Sequence, residues 1–333
     1  MIRRNAKGIF TCGQGIYASP PVPGGNSGTS LTETAEDGRV APFCNGLFGR
    51  LDFIYPMYDN RKNEGGEGLI NVVVAGAAGR MGREVVRAVS NTPGMTVVGA
   101  VDVSQNGQDA GMLAGVGALG VTLSSDIESV FRETNANVVV DFTNAKAAAQ
   151  NVRTAIACRV RPVVGTTGIP EEELQELKRL SREKAIGGLI APNFAIGAVL
   201  MMHFAGIAAR YLPVAEVIEL HHNQKLDAPS GTALKTAEII AANRPEAEYE
   251  DRTQMVKLDG ARGGMLGGTR VHSVRLPGLV AHQEVIFGGL GQTLSIRHDS
   301  ISRESFMPGV IMGIKKVTEL DEIIYGLDKL IFA

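Results

Sequence analysis

Cysteine is scarce in this chain of 333 residues: Cys12, Cys44 and Cys158 are too few and too scattered for a disulfide framework or a thiolate metal cluster. A reducing compartment suits such a sequence. Cys158 lies in the small-residue stretch TAIACRV with no neighbouring base to form a thiolate, so packing is its expected role. An excess of either charge is missing too. The formal net charge is -2, with no long basic run and no basic segment interleaved with aromatics, which argues against nucleic acid as a partner. The apolar runs are short, and none reaches the ~20 residues of a membrane-spanning helix. A soluble protein with no membrane partner is expected. Histidine is also rare, with six residues, yet two of them stand side by side at His221 and His222.

What is present is ample apolar material, 44% of the chain, enough for a buried core and two domains. Residues 1–68 stand apart. Gly, Pro, Asn, Ser and Thr dominate them, no periodic pattern survives, and the segment reads as a disordered N-terminal extension. Arg3, Arg4 and Lys7, with no acid among the first thirty residues, also allow a transit peptide; an ordered accessory piece is the third reading. A cytoplasmic location is expected, or the plastid stroma if the segment is a transit peptide.

At Ile70 the texture changes. INVVVAG is a β-branched run long enough for a strand buried on both faces, and AGRMGREVVRAVSNT places Met81, Val85, Val86 and Val89 on one helical stripe. TVVGAVD then reads as a strand, followed by a loop and a short helix near Asp126 to Glu133. NVVVDFT, RPVVGTTG and GGLIAPNF follow as strands separated by helices. This alternation predicts an α/β, Rossmann-type, doubly wound parallel sheet over 69–195. After Phe194 come a helix, the strand AEVIELHHN, a helix, and then TRVHSVRLPG, HQEVIFGG and QTLSIRHDS in succession. Strands without intervening helices predict a second, α+β domain with a mixed sheet over 196–303. The stretches SRESFMPGVIMGIKKV and DEIIYGLDKLIF read as helical and complete the first domain over 304–333.

In GAAGRMG, Gly76, Gly79 and Gly82 lie where a strand turns into a helix, which suits a pyrophosphate seated on free amides. The spacing departs from the commonest fingerprint because Ala78 takes the usual second glycine position. Asp102 follows 26 residues after Gly76 at the end of the second strand, where an acid binds ribose hydroxyls. Asp102 favours NADH by repelling a 2′-phosphate, whereas Arg80 and Arg83 offer that phosphate cations, so either reduced cofactor suits the residues. DFTN, GTTG and APNF end three further strands at the same edge.

The stretch ELHHNQKLDAPSGTA admits several chemistries. A metal reading of His221 and His222 fails because neighbours on a strand face opposite ways and no third ligand follows, so no metal is expected. A nucleophilic Ser230 lacks the G-x-S-x-G elbow. The bland reading packs one histidine, solvates Lys225 and lets Ser230 cap a helix. Yet Ser230, Gly231 and Thr232 at a helix start also suit a carboxylate, with Lys225 as a cation and His221 as a proton source. Arg275 and His282 lie on strands of the second domain, where sheet-face packing explains them as well as substrate contact does.

These residues, VAGAAGRMGREV, GTTG, APNFAIGA and ELHHNQKLDAPSGTA, strongly resemble the 4-hydroxy-tetrahydrodipicolinate reductase family, and the likeness runs from about Ile70 to the C-terminus. The resemblance implies NADH or NADPH as cofactor, a small dicarboxylate as substrate and a homotetramer built through the mixed sheet. It implies that His221 and Lys225 are catalytic. His222, Ser230, Gly231 and Thr232 become substrate contacts. The implied cofactor contacts are Gly76, Ala77, Ala78, Gly79, Arg80 and Met81, then Asp102, then Gly165, Thr166 and Thr167, and last Ala191, Pro192, Asn193 and Phe194. Val103 stands where many members carry a cation, so an NADPH preference does not carry over.

The implied reaction loses the 4-hydroxyl as water and adds a hydride at C4 of the unsaturated ring. Electron density then gathers at the far end of the conjugated imine, and His221 is the expected proton donor. Closure between the two domains is expected, with hinges near 195 and 303. Two competing functions stand against this. Another nicotinamide enzyme of similar architecture, such as an amino-acid or acylating aldehyde dehydrogenase, needs other chemistry, and the latter a nucleophilic cysteine, for which Cys158 is badly placed. A non-catalytic redox sensor keeps GAAGRMG but has no use for His221 with Lys225.

Overall fold

A computed structural model describes residues 68–245 and 255–332, together with the short strands β1 (Phe10–Thr11) and β2 (Ile16–Tyr17), which pair antiparallel. The chain divides into two units between Glu64 and Gly65, and the fold is that of the second. The expectations for residues 1–68, including disorder and a transit peptide, fall outside the described residues but for that strand pair and Gly68.

The β-branched run from Ile70 forms β3 (Ile70–Ala75), an interior strand of a seven-stranded sheet. Its neighbours are β4 (Met95–Val101) and β6 (Val138–Asp141), and the full order is β14-β8-β7-β6-β3-β4-β5, parallel throughout. The remaining members are β5 (Leu123–Ser124), β7 (Arg161–Val164), β8 (Gly188–Ile190) and β14 (Ile323–Tyr325). Burial on both faces explains the absence of polar alternation in β3. Val72 and Val74 join a core with Val85, Val86 and Val89 of α1 (Arg80–Ser90), whereas Val73 and Ala75 join Val130 and Phe131 of α3 (Ile127–Glu133) on the other face. α4 (Ala145–Ala157) and α5 (Glu171–Lys184) cover the same side as α3 further along. Chain order reverses between β3 and β6, so their carboxyl ends flank a crevice.

The second sheet is mixed, as expected, with the order β10-β11-β9-β12-β13. β9 (Val214–His221) lies parallel to β11 (Thr269–Arg275) and antiparallel to β12 (Ala281–Gly289); β13 (Gln292–Ser300) and β10 (Gly264–Leu266) form the edges. α6 (Ile196–Ala209) and α7 (Gly231–Asn243) cover one face around Val217, Val285 and Phe287.

Two local readings need correction. DEIIYGLDKLIF is not helical throughout. Ile323–Tyr325 is strand β14, paired parallel with β8, and only the four residues Asp328–Ile331 form a helix, α9. Ile323 is buried beside Ile190 and Leu177, its amide bonds the Ser181 hydroxyl at 2.7 Å, and Gly326 at φ +99° turns the chain. An exposed edge at β8 thus gains a partner, which outweighs weak helical spacing. The loop after β4 also holds a one-turn helix, α2 (Ala110–Ala114), and β5, both organised by Asp109, which accepts from the amides of Met112, Leu119 and Gly120. α8 (Met307–Lys316) packs in the same core as α1, returning the chain to the parallel sheet.

Candidate active site

Where β3 turns into α1, the backbone comes close to itself. A Cβ on Gly82 would lie 2.0 Å from the Gly76 carbonyl oxygen, and Gly76 adopts φ +79°. Gly79 precedes α1 with no side chain capping the helix, and no acid stands in the first turn. The first amides therefore keep the open, electropositive end that suits a pyrophosphate. Asp102, one residue past β4, accepts from Ala78 N at 3.0 Å and from Ser104 N and Oγ at 2.9 and 2.8 Å. It ties the loop to the second strand and keeps lone pairs for ribose hydroxyls. Arg83 donates to the Ala78 carbonyl at 2.9 Å, so it braces the loop, while Arg80 is exposed.

The ends of β6 and β7 are organised around Asp141. This buried carboxylate accepts from Thr143 N at 2.8 Å, Thr143 Oγ1 at 2.6 Å and Asn151 Nδ2 at 2.7 Å. Gly165 is needed for packing, since a Cβ there would lie 2.1 Å from the Phe142 ring. Thr166 is buried and Thr167 exposed; Ala191 and Phe194 are buried, and Phe194 stacks obliquely on Phe142 at 5.9 Å. Of the last segment, Pro192 and Asn193 face open space. Taken together, the tight glycine turn, the open helix start and Asp102 fit a dinucleotide.

A cleft of about 170 Å³ brings residues of both sheets together, with Pro192 and Asn193 on one side and His221, Ser230, Thr232, Gln283 and His298 on the other. Asn193 Nδ2 donates to Thr232 Oγ1 at 3.3 Å. On β9, residues two apart share a face, so Ala215, Val217, Glu219 and His221 point the same way. That face is apolar at one end and ionic at the other. His221 Nδ1 bonds Glu219 Oε2, leaving Nε2 as the ring's second nitrogen; the side chain is 15% exposed and the Glu219 side chain 0%. Arg275 grips Glu219 with both terminal nitrogens, at 2.9 and 2.7 Å. Burial alone would raise the Glu219 carboxyl, but hydrogen bonds from His221, Arg275 and Ser273 outweigh it and hold the group at about 2.

Ser230 caps α7, its hydroxyl accepting from Ala233 N at 3.3 Å, and its own amide reaches Glu219 Oε1 at 3.3 Å. Lys225 and His222 do not line the cleft. Lys225 Nζ pairs with Asp227 at 2.7 Å on the loop leading to Ser230, and His222 Nδ1 is buried without a partner. Gly231, the first residue of α7, is exposed. His298 sits over Gly197, where a Cβ would lie 2.5 Å from the ring, and burial lowers its pKa. Gln283 donates to Thr236 Oγ1 at 2.7 Å while its Oε1 has no partner. Cys158 packs against the α3 and α4 core, and Cys12 and Cys44 fall outside the described residues.

Glu219 was the main omission of the sequence reading. It stands two residues before His221 in an alternating strand, and that parity was the available signal. Arg275 and His282 were left undecided; Arg275 holds Glu219, and His282 bonds Asp299 at 2.7 Å while lining the cleft.

Residues 70–194 match the family model described as dihydrodipicolinate reductase, N-terminus, and residues 197–331 the one described as its C-terminus. The chain belongs to the dihydrodipicolinate reductase family. It is 54% identical over 264 residues to the 4-hydroxy-tetrahydrodipicolinate reductase of Moorella thermoacetica, covering 79% of this chain and 98% of that protein. The protein of that name from Syntrophomonas wolfei is 51% identical over 260 residues, covering 78% and 98%. A dipicolinate-bound dihydrodipicolinate reductase from Paenisporosarcina sp. TG-14 superposes with a TM-score of 0.70 at 42% identity, over 78% of this chain and 99% of that one. An amine dehydrogenase from Mycobacterium smegmatis, at 17% identity and TM-score 0.56 over 78% and 95%, shares the fold. Within the family, this chain is an oxidoreductase. Among the described residues, no helix is long and apolar enough to cross a membrane.

Proposed function

We propose that this chain reduces 4-hydroxy-tetrahydrodipicolinate to tetrahydrodipicolinate with loss of water, in the diaminopimelate route to lysine. NADH or NADPH, when bound at the glycine loop, supplies the hydride. The observation that carries the reading is the meeting of His221 with the Ser230 cap and Asn193 in one cleft between the two sheets. The amides at the start of α7 receive one substrate carboxylate, and Thr232, held by Asn193, sets the ring's distance from the parallel sheet. His221 delivers the proton that balances hydride addition, through Nε2. Lys225 serves the second carboxylate after leaving Asp227, a rearrangement that suits closure about hinges near 195 and 303.

The remaining cofactor contacts, from Gly76 to Met81, Asp102, Gly165 to Thr167 and Ala191 to Phe194, lie along the carboxyl edge of the parallel sheet. Buried Ala191 and Phe194 act there through the backbone. We assign 69–195 with 304–333 to cofactor binding and 196–303 to substrate binding and assembly, as a homotetramer in the cytoplasm, or in the plastid stroma if residues 1–68 are cleaved as a transit peptide.

The purified full chain should oxidise NADH or NADPH in the presence of freshly made dipicolinate-synthase product, and dipicolinate should inhibit competitively. Absence of turnover with that product rejects the assignment. Light scattering checks the tetramer, and mass spectrometry of the native N-terminus checks the location.

A further inference from the structure

Glu219 is fully enclosed, yet it keeps its charge beside a cleft residue. Burying a carboxylate costs several kcal/mol unless its oxygens are paired. Here both are engaged: Oε2 by His221 Nδ1 and Arg275, Oε1 by Arg275 and the Ser230 amide. Arg275 also donates to the Asp227 carbonyl at 2.7 Å, so the pair grips the loop between β9 and α7 as well. A carboxylate accepts and does not donate. It therefore requires hydrogen on Nδ1 and turns the imidazole so that Nε2 is the nitrogen available to the cleft.

We propose that Glu219, held by Arg275, is a positioning residue for proton delivery: it selects the Nδ1-protonated ring of His221 and fixes the spacing between Nε2 and the Ser230 loop. This rests on the reading of His221 as the donor. An imidazolium that gives its Nε2 proton to the reduced ring must retain hydrogen on Nδ1, and that is the tautomer Glu219 stabilises. Solvent later returns a proton to Nε2. Glu219 stays ionised throughout and takes no proton, and Arg275 keeps the carboxylate from turning away.

In the full chain, Glu219→Gln should lower kcat by about 10²-fold or more with NADH affinity unchanged. Placed on His221→Gln, the further change Glu219→Gln should cost less than about threefold in kcat, because a positioning residue has no effect once the donor it positions is gone. Full multiplication of the two losses overturns the proposal. Should the glutamine variant fail to fold, imidazole nitrogen NMR of the unsubstituted chain decides the matter, with the His221 signal assigned by its loss in His221→Gln. A neutral ring protonated on Nδ1 is expected, and one protonated on Nε2 overturns the proposal. The substrate reading is tested separately: a wild-type chain inert toward dipicolinate-synthase product removes that reading, while the nitrogen signal still decides the role of Glu219.

Discussion

At the carboxyl end of β3 the protein withholds side chains, whereas at the carboxyl end of β9 it crowds ionic ones together. The first site is shaped by Gly76, Gly79 and Gly82, and its hydrogen-bonding groups are amides. The second is shaped by Glu219, His221, Arg275 and Ser230, whose functional atoms lie far out on side chains. The contrast follows from the tasks. A pyrophosphate needs close approach and diffuse positive potential, which backbone supplies without titrating. Proton delivery needs one nitrogen at a set angle, which requires a side chain and a partner to orient it.

Substitutions at each end should separate these tasks. The largest effect is expected at His221. His221→Gln should lower kcat by roughly 10²- to 10⁴-fold while NADH affinity, read by fluorescence titration, stays within about twofold. A matching loss of NADH binding would break the division between the two ends.

Acid stability should give the next effect. The Glu219 carboxyl is held at about 2 against an unfolded value of 4.5. Because the folded value is the lower one, its contribution is fully present above the unfolded value and is lost as pH falls toward the folded one; it is on the order of 3 kcal/mol. Denaturant melts between pH 7 and 3 should show wild-type stability falling more steeply than that of Glu219→Gln.

Gly82→Ala should cost about 1–3 kcal/mol by forcing a methyl against the Gly76 carbonyl, and should weaken NADH binding without altering dipicolinate binding. Smallest is Ser230→Ala. Loss of the cap should cost about 1 kcal/mol in a thermal melt and raise the substrate KM, leaving NADH affinity unchanged.

Much of this was legible along the chain. The two-sided burial of INVVVAG, the glycine turn and the alternation of strand and helix carry the parallel sheet, because those signals are local. The helix cap at Ser230 was legible for the same reason. Less was legible at Ile323–Tyr325: the residues favour a strand, but a run of three is too short to announce one, and it becomes a strand by pairing with the edge of β8. Lys225 shows a different limit: its spacing from His221 did not reveal that Asp227, two residues on, would hold it.

By itself the sequence determined which segments become strands and helices, where glycine opens the backbone, and which residues stand two apart on β9. Only the tertiary structure decided that Arg275, 56 residues beyond Glu219, would grip it, and that Asn193 would reach Thr232. The physical reason is that local preferences act over a few residues, while pairing register and the packing of two sheets set which distant side chains share a buried space. A carboxylate keeps its charge in such a space only when those distant partners arrive.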